Sequence, residues 1–317
     1  MNELFGELDE QARFEAFKDH PDEAVRLELV HTLTAQNLIH TFKDDPDVGV
    51  RRIVVDNLSD EKQIVDAFKN DPHWYIRKLA VNKVSDEELL VEAFKKDRDE
   101  DVRLAVVKKL SDDGLLLDNF KNDRSPSIRA KVVDKLSDEQ LRFDTFKNDR
   151  DGHVRLALLN TLSDEELIFN TFKNDSYKEV RKAVINKMSD TQLVFDTFKN
   201  DLNEEVRLEV VNRLSDEDLM FNTFKNDKSY LIRELLVNRL SDEQLVFETF
   251  KNDKDVDVRL AVIDKLSDVE LIKTFENDRV QNVRIVVEEK LSEMATQNHD
   301  EFSDALAELS NDGLNLE

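Results

Sequence analysis

The sequence predicts an all-α chain, a right-handed α-solenoid or superhelix of about eleven two-helix repeats of 26 residues. Three observations predict it. First, a Phe is followed nine residues later by an Arg, eleven times over, from Phe17 and Arg26 to Phe275 and Arg284. The Arg residues stand 26 apart, except at the first and last intervals, which are 25. Second, apolar residues within each period recur at helical rather than alternating spacing. Third, 5 Gly and 4 Pro in 317 residues are too few to turn the hairpins of a many-stranded sheet protein. A fixed period of this length marks stacked units, none of which can bury its apolar face alone.

The elements can be taken in chain order. Residues 1–34 read as an N-terminal capping repeat, with Glu7-Leu8-Asp9 where other repeats have Leu-Ser-Asp and His20 where others have Asp. A full unit is LSDEQLRFDTFKNDRDGHVRLALLNT, residues 136–161. Ser137 is the expected N-cap of its first helix (A), and Gln140 completes a capping box. Asp138 and Glu139 fall in the first turn, where the helix dipole favours acids. Leu141, Phe143 and Phe146 form the apolar side, and the helix is expected to end near Lys147-Asn148-Asp149. In the second helix (B), Val154, Leu158, Leu159 and Leu162 make one apolar stripe. Lys or Arg collects at its last turn (Lys135, Lys187, Arg213, Arg239, Lys265), again in keeping with the dipole. Both 25-residue intervals lose their residue before the Phe, at Phe42 and Phe275, so the A segment tolerates a change that the Phe-to-Arg segment does not.

After Leu291 the pattern stops. Residues 292–317 read as a C-terminal capping helix, from about Asp300 to Leu309 with Phe302, Leu306 and Leu309 on one face, followed by a frayed tail. No Gly/Ser/Pro-rich stretch interrupts the period, so residues 1–317 read as a single solenoid.

Composition excludes several functions. There is no Cys, hence no disulfide, iron–sulfur cluster, thiolate zinc site or cysteine nucleophile. Lys plus Arg number 46 against 71 Asp plus Glu, a net charge of −25, which disfavours direct binding to nucleic acid. The start, MNELFGELDEQARF, lacks the basic and apolar regions of a signal peptide, and no apolar run approaches the roughly 20 residues of a membrane span. A soluble, cytoplasmic protein is expected, with no membrane partner.

The Asp-x5-Arg pairing, as in Asp149 and Arg155, with apolar residues around the Arg, resembles HEAT-type repeats. The short period and the strings DPDVGVR (45–51) and DPHWYIR (71–77) are closer to leucine-rich variant repeats. The resemblance covers nearly the whole chain and speaks to architecture. It implies that the B helices line a concave face and that Asp and Arg form a ladder between neighbouring repeats. It also implies a short first segment, often a 3₁₀ turn; the longer segment here predicts a true α-helix. Some relatives hold a Cys-ligated cluster, which this chain cannot.

Five features are candidates for function. The Asp column six residues before each Arg (Asp45, Asp71 and on to Asp278) is read mainly as structural, capping helix B and accepting from an Arg. Five residues after each Arg runs a polar column that includes Asn82, Asn160, Asn186, Asn212 and Asn238. Asn both donates and accepts, so this column could hold an extended peptide backbone. The position just after Arg, often Leu (Leu27, Leu104, Leu156, Leu208, Leu260), lies at the edge of the apolar stripe. The turns between A and B carry the one Trp and all three Tyr, namely Trp74, Tyr75, Tyr177 and Tyr230. These are residues enriched in binding hot spots. Acid pairs at the A-helix starts, such as Asp86-Glu87-Glu88 and Asp216-Glu217-Asp218, should line one edge.

No catalytic, cofactor or metal motif is present: the six His are scattered, and HExxH, GxSxG, Walker A and GxGxxG are all missing. The expected function is a non-catalytic scaffold for a protein or extended peptide, using the concave face and the inter-helix turns. The alternative is an acidic mimic that occupies a basic nucleic-acid-binding protein. The resemblance also admits a HEAT-like DNA glycosylase or a bilin-lyase-like role, for which the charge has the wrong sign or no motif exists.

Overall fold

The computed structural model describes residues 8–312, those from 298 onward as backbone. It contains helices and no strand among the described residues. Contacts divide the chain into two compact units, Met1–Thr171 and Phe172–Glu317. The division falls inside helix Glu165–Phe172, so the sequence period itself runs on across it.

The first unit alternates short and longer helices. Its A helices include Glu61–Phe68, Glu87–Phe94, Asp113–Phe120 and Glu139–Phe146, each of 8 residues. Its B helices include Val48–Asn57, Trp74–Lys83, Glu100–Lys109, Pro126–Lys135 and Gly152–Thr161, each of 10 residues. Such lengths are below those at which isolated helices persist in water. Burial supplies the difference. Phe68, Phe94, Phe120 and Phe146 are all but inaccessible, as are Val154, Leu158, Leu159 and Leu162 of the expected stripe. Each B helix lies against the B helix of the next repeat, and within the unit the B layer is more tightly stacked than the A layer. In the first repeat Phe17 is only half-buried, and Phe14 takes the core position, edge-on to Phe42.

The second unit repeats the scheme, with A helices Thr191–Phe198, Glu217–Phe224 and Glu243–Phe250 and B helices Lys178–Lys187, Glu204–Arg213, Tyr230–Arg239 and Val256–Lys265. Phe198, Phe224 and Phe250 fill its core.

The two short intervals show how a residue is lost without disturbing the core. Before Phe42 the α-helix Gln36–His40 passes into a 3₁₀ helix, Thr41–Asp44. Before Phe275 the α-helix stops at Lys273, and Thr274, Phe275 and Glu276 donate to carbonyls three residues back at 3.2, 3.1 and 3.0 Å. A 3₁₀ turn rises about 2.0 Å per residue against about 1.5 Å for an α-helix. A segment one residue shorter therefore reaches nearly as far, and both Phe remain buried. Elsewhere the A segments are α-helical, as the segment length predicts.

Three local expectations are corrected. The N-cap of helix A is Asp138, whose carboxylate accepts from the Leu141 N–H; Ser137 is instead engaged with the preceding repeat. Leu141 does not join the apolar side, being 37% exposed. After Leu291 no separate helix begins: the last B helix is continuous from Gln281 to Asp312. The faces expected of Phe302, Leu306 and Leu309, and the tail beyond residue 312, lie outside the described residues.

Candidate interaction surface

The Asp and Arg columns form a ladder between neighbouring repeats. The Arg129 guanidinium donates from Nε and Nη2 to both carboxylate oxygens of Asp149 in the next repeat, at 2.7 and 2.8 Å. Its Nη1 donates to the Asp123 carbonyl in its own turn at 2.7 Å. The same fork recurs from Arg26 to Arg103 in the first unit and at Arg181, Arg207, Arg233 and Arg259 in the second. Burial pushes the Asp149, Asp227 and Asp253 carboxyls up. The fork from Arg129, Arg207 or Arg233, with a backbone N–H, outweighs it and holds each below the usual carboxylate range. Bonding to Asp149 raises the Arg129 pKa in turn, against the opposing effect of burial.

The Asp does not cap helix B itself. Asp149 Oδ1 accepts from the N–H of Asp151, and Asp151 is the N-cap, accepting from His153. A second capping residue thus stands two positions after several column Asp residues: Asp99, Asn203 and Asp255 are further instances, while Ser125 and Ser229 hold the same N-cap position without a side-chain cap bond. At His20, where the carboxylate is replaced, the imidazole Nδ1 accepts from the Asp22 N–H at 3.1 Å and preserves the turn.

The acidic edge is likewise partly structural. Glu87 accepts from the Ser111 N–H at 2.9 Å and from its hydroxyl at 2.5 Å, one repeat on. Glu217 does the same for Ser241 and Glu243 for Ser267. Glu87 is held below its usual pKa mainly by the Ser111 hydroxyl, and Glu217 mainly by the Ser241 N–H. The cations that end helix B reach back to the preceding repeat rather than to their own helix. Lys135 donates to the Lys108 carbonyl at 2.7 Å, and Arg239 to Val211 and Leu214 at 2.7 and 2.6 Å. Each thereby satisfies carbonyls that the neighbouring helix terminus leaves open. The Lys that follows the core Phe is occupied in several repeats: Lys147 lies 4.8 Å over the Phe143 ring and 2.9 Å from Asp144.

What stays open is one face of the B helices. Trp74 is the first residue of helix Trp74–Lys83 rather than part of a preceding turn, and Tyr230 is the first of Tyr230–Arg239. Trp74, Lys78 and Asn82 therefore fall at i, i+4 and i+8, as do Tyr230, Glu234 and Asn238. Within each unit the aromatic position, the polar column and the column after Arg fall on one B-helix face, whereas the sequence suggests three separate features. Trp74 is 39% exposed, with His73 stacked at 6.2 Å, Tyr75 edge-on at 5.9 Å and Lys78 Nζ 5.5 Å over its ring. Asn82, Asn160, Asn186, Asn212 and Asn238 are all exposed along this face. Tyr75 is exposed beside Trp74, whereas Tyr177 is the half-buried N-cap residue of Lys178–Lys187 and lies off the stripe. Leu104, Leu156, Leu208 and Leu260 are half-buried along the same face. The signal that could have unified these positions is the second capping residue, since His73 and Ser229 start each helix one residue before the aromatic.

Among the described residues no cluster of three or more His, Asp or Glu is placed to hold a metal ion, and no helix is long and apolar enough to cross a membrane. Neither a protein-family model nor a curated protein matches the chain. Among solved structures it is similar to one titled a leucine-rich repeat variant with a novel repetitive protein structural motif. Identity is 22%, the match covers 73% of this chain and 86% of that one, and the TM-score is 0.49.

Proposed function

We propose that the protein is a non-catalytic interaction scaffold whose exposed B-helix face binds a partner protein through an extended segment. The observation that carries this reading is the separation of roles. The Asp–Arg ladder, the Ser–Glu contacts and the terminal cations are engaged between repeats, while an aromatic-to-Asn stripe on the B helices is left to solvent. Trp and Tyr supply anchoring area, and the Asn amides can both donate to and accept from a peptide backbone.

The test is a pull-down with the tagged full chain, eluted by a salt gradient, comparing wild type with Trp74→Ala. A partner held by wild type in high salt and lost from Trp74→Ala supports the reading. A basic partner released early by salt, and equally from both proteins, would replace it with charge mimicry, since exposed ion pairs are screened within about 8 Å at physiological salt.

A further inference from the structure

In the second unit the B-helix face dips into a depression of about 460 Å³, open to solvent, walled by helices Tyr230–Arg239 and Val256–Lys265 and reached by Val286. Its apolar surface is Leu260, Ala261 and Val286, with the Tyr230 ring, 38% exposed, on one side. Three carboxylates line it, Glu234, Asp257 and Asp264, and no Lys or Arg does. Among the described residues none of the three is in an ion pair; the cations at the rim, Lys265 and Lys290, donate to the backbone carbonyls of Asn238 and Asp264 rather than to a carboxylate. Two acids at the position equivalent to Asp257 are paired instead: Glu205 with Lys178 and Lys182, and in the first unit Asp101 with Lys78. Asn238 closes the rim with an amide that can meet a backbone.

An apolar floor ringed by carboxylates that form no ion pair complements a ligand that brings both apolar surface and positive charge. We propose that this depression binds a basic, apolar-bearing segment of a partner protein, an extended stretch in which Lys or Arg alternates with Leu-like side chains. The apolar residue enters over Leu260, Ala261 and Val286, and the flanking cations meet Glu234, Asp257 and Asp264. The inference rests on the scaffold reading and adds the chemistry of the partner.

The test uses the full chain and fluorescein-labelled decapeptides read by fluorescence anisotropy at physiological salt. One peptide alternates Lys with Leu, one Lys with Ser, and one Glu with Leu. The Lys–Leu peptide is expected to bind at least tenfold more tightly than either of the others. Glu234→Lys with Asp264→Lys should weaken it at least tenfold, while Glu88→Lys with Glu92→Lys, equal in charge and exposed in the first unit, should change it less than twofold. Should the doubly lysine-substituted chain fail to fold by circular dichroism, Glu234→Gln with Asp264→Asn replaces it, with a severalfold loss expected. Equal binding of the Lys–Ser peptide, equal loss from both pairs of variants, or no binding at all overturns the proposal. None of these results touches the Trp74→Ala comparison, so the scaffold reading stands or falls separately.

Discussion

Arg129 in one repeat and Asp149 in the next are locked by two parallel hydrogen bonds of 2.7 and 2.8 Å, with both side chains over nine-tenths buried. Because the pair lies 20 residues apart in sequence and spans a repeat boundary, it joins neighbours rather than bracing one unit. Asp149→Ala leaves the Arg129 charge buried and unpaired, and removing one partner of such a pair costs about 3–5 kcal/mol. The urea midpoint should fall accordingly, and hydrogen exchange should quicken first at the amides of the two repeats flanking the lost rung, since coupling in such arrays is between nearest neighbours. Arg129→Met with Asp149→Asn removes the stranded charge and keeps the turn acceptor for the Asp151 N–H. That double variant should be less destabilised than Asp149→Ala alone; an equal loss would show that the fork does not hold the rung.

The same rungs set the acid limit. Asp149, Asp227, Asp253 and Asp278 are held below the ordinary carboxylate pKa in the folded chain, burial opposing and the Arg fork prevailing. A carboxyl depressed on folding contributes stability that is fully present above its unfolded pKa, about 3.9, and is lost as pH falls through the folded value. The melting temperature should be nearly level from pH 7 to 5 and drop below about pH 4. The buried forks are poorly screened, so added salt should shift this fall little. Arg129, Arg207 and Arg233 are raised above an already high pKa and impose no limit in the neutral or alkaline working range. A melting temperature that declines steadily from pH 7 to 5 would contradict this assignment.

The period, the helix pairs and the buried Phe column were legible because each rests on spacing alone. Partner choice was not legible from spacing, although the resemblance implied an Asp–Arg ladder between neighbouring repeats. Within one repeat Asp149 stands six residues from Arg155, yet the carboxylate is forked by Arg129 of the preceding repeat, a pairing that local sequence does not rank. Ser137 and Asp138 are both good caps, and only stacking, which draws the Ser137 hydroxyl to Asp113 at 2.6 Å, leaves Asp138 to cap. Trp74 read as a turn residue because the helix start depends on His73, a weaker capping residue than the Asp or Ser found in other repeats.

The division of labour between Ser and Asp at the A-helix start has a measurable consequence in the ninth and tenth repeats. Asp242 caps helix Glu243–Phe250 through the Leu245 N–H at 2.9 Å, while Ser241 bonds Glu217 of the preceding repeat. Asp242→Ala should cost about 1 kcal/mol, the usual loss on removing a helix cap. Ser241→Ala keeps its backbone N–H bond to Glu217 and loses only an exposed hydroxyl contact, so it should cost less, about 0.5 kcal/mol. Thermal melts of the two variants, run together, order them; a larger loss for Ser241→Ala would return the cap to Ser.

Trp74 is the only Trp in the chain, so its emission reports on one point of the proposed surface. Its ring contacts are with His73, Tyr75 and Lys78, all from its own helix or cap. Trp74→Ala should therefore cost only about 0.5–1 kcal/mol of stability, the scale of an exposed cation–π contact. In the free protein the ring is 39% exposed, and acrylamide, being neutral and indifferent to the net charge of −25, should quench it readily. A partner seated on the B-helix face must cover the ring. Its addition should shift emission to the blue and reduce quenching, and the change should saturate with binding. Quenching that stays constant at saturating partner would place the contact elsewhere, even if binding itself were tight, and would remove Trp74 from the proposed surface.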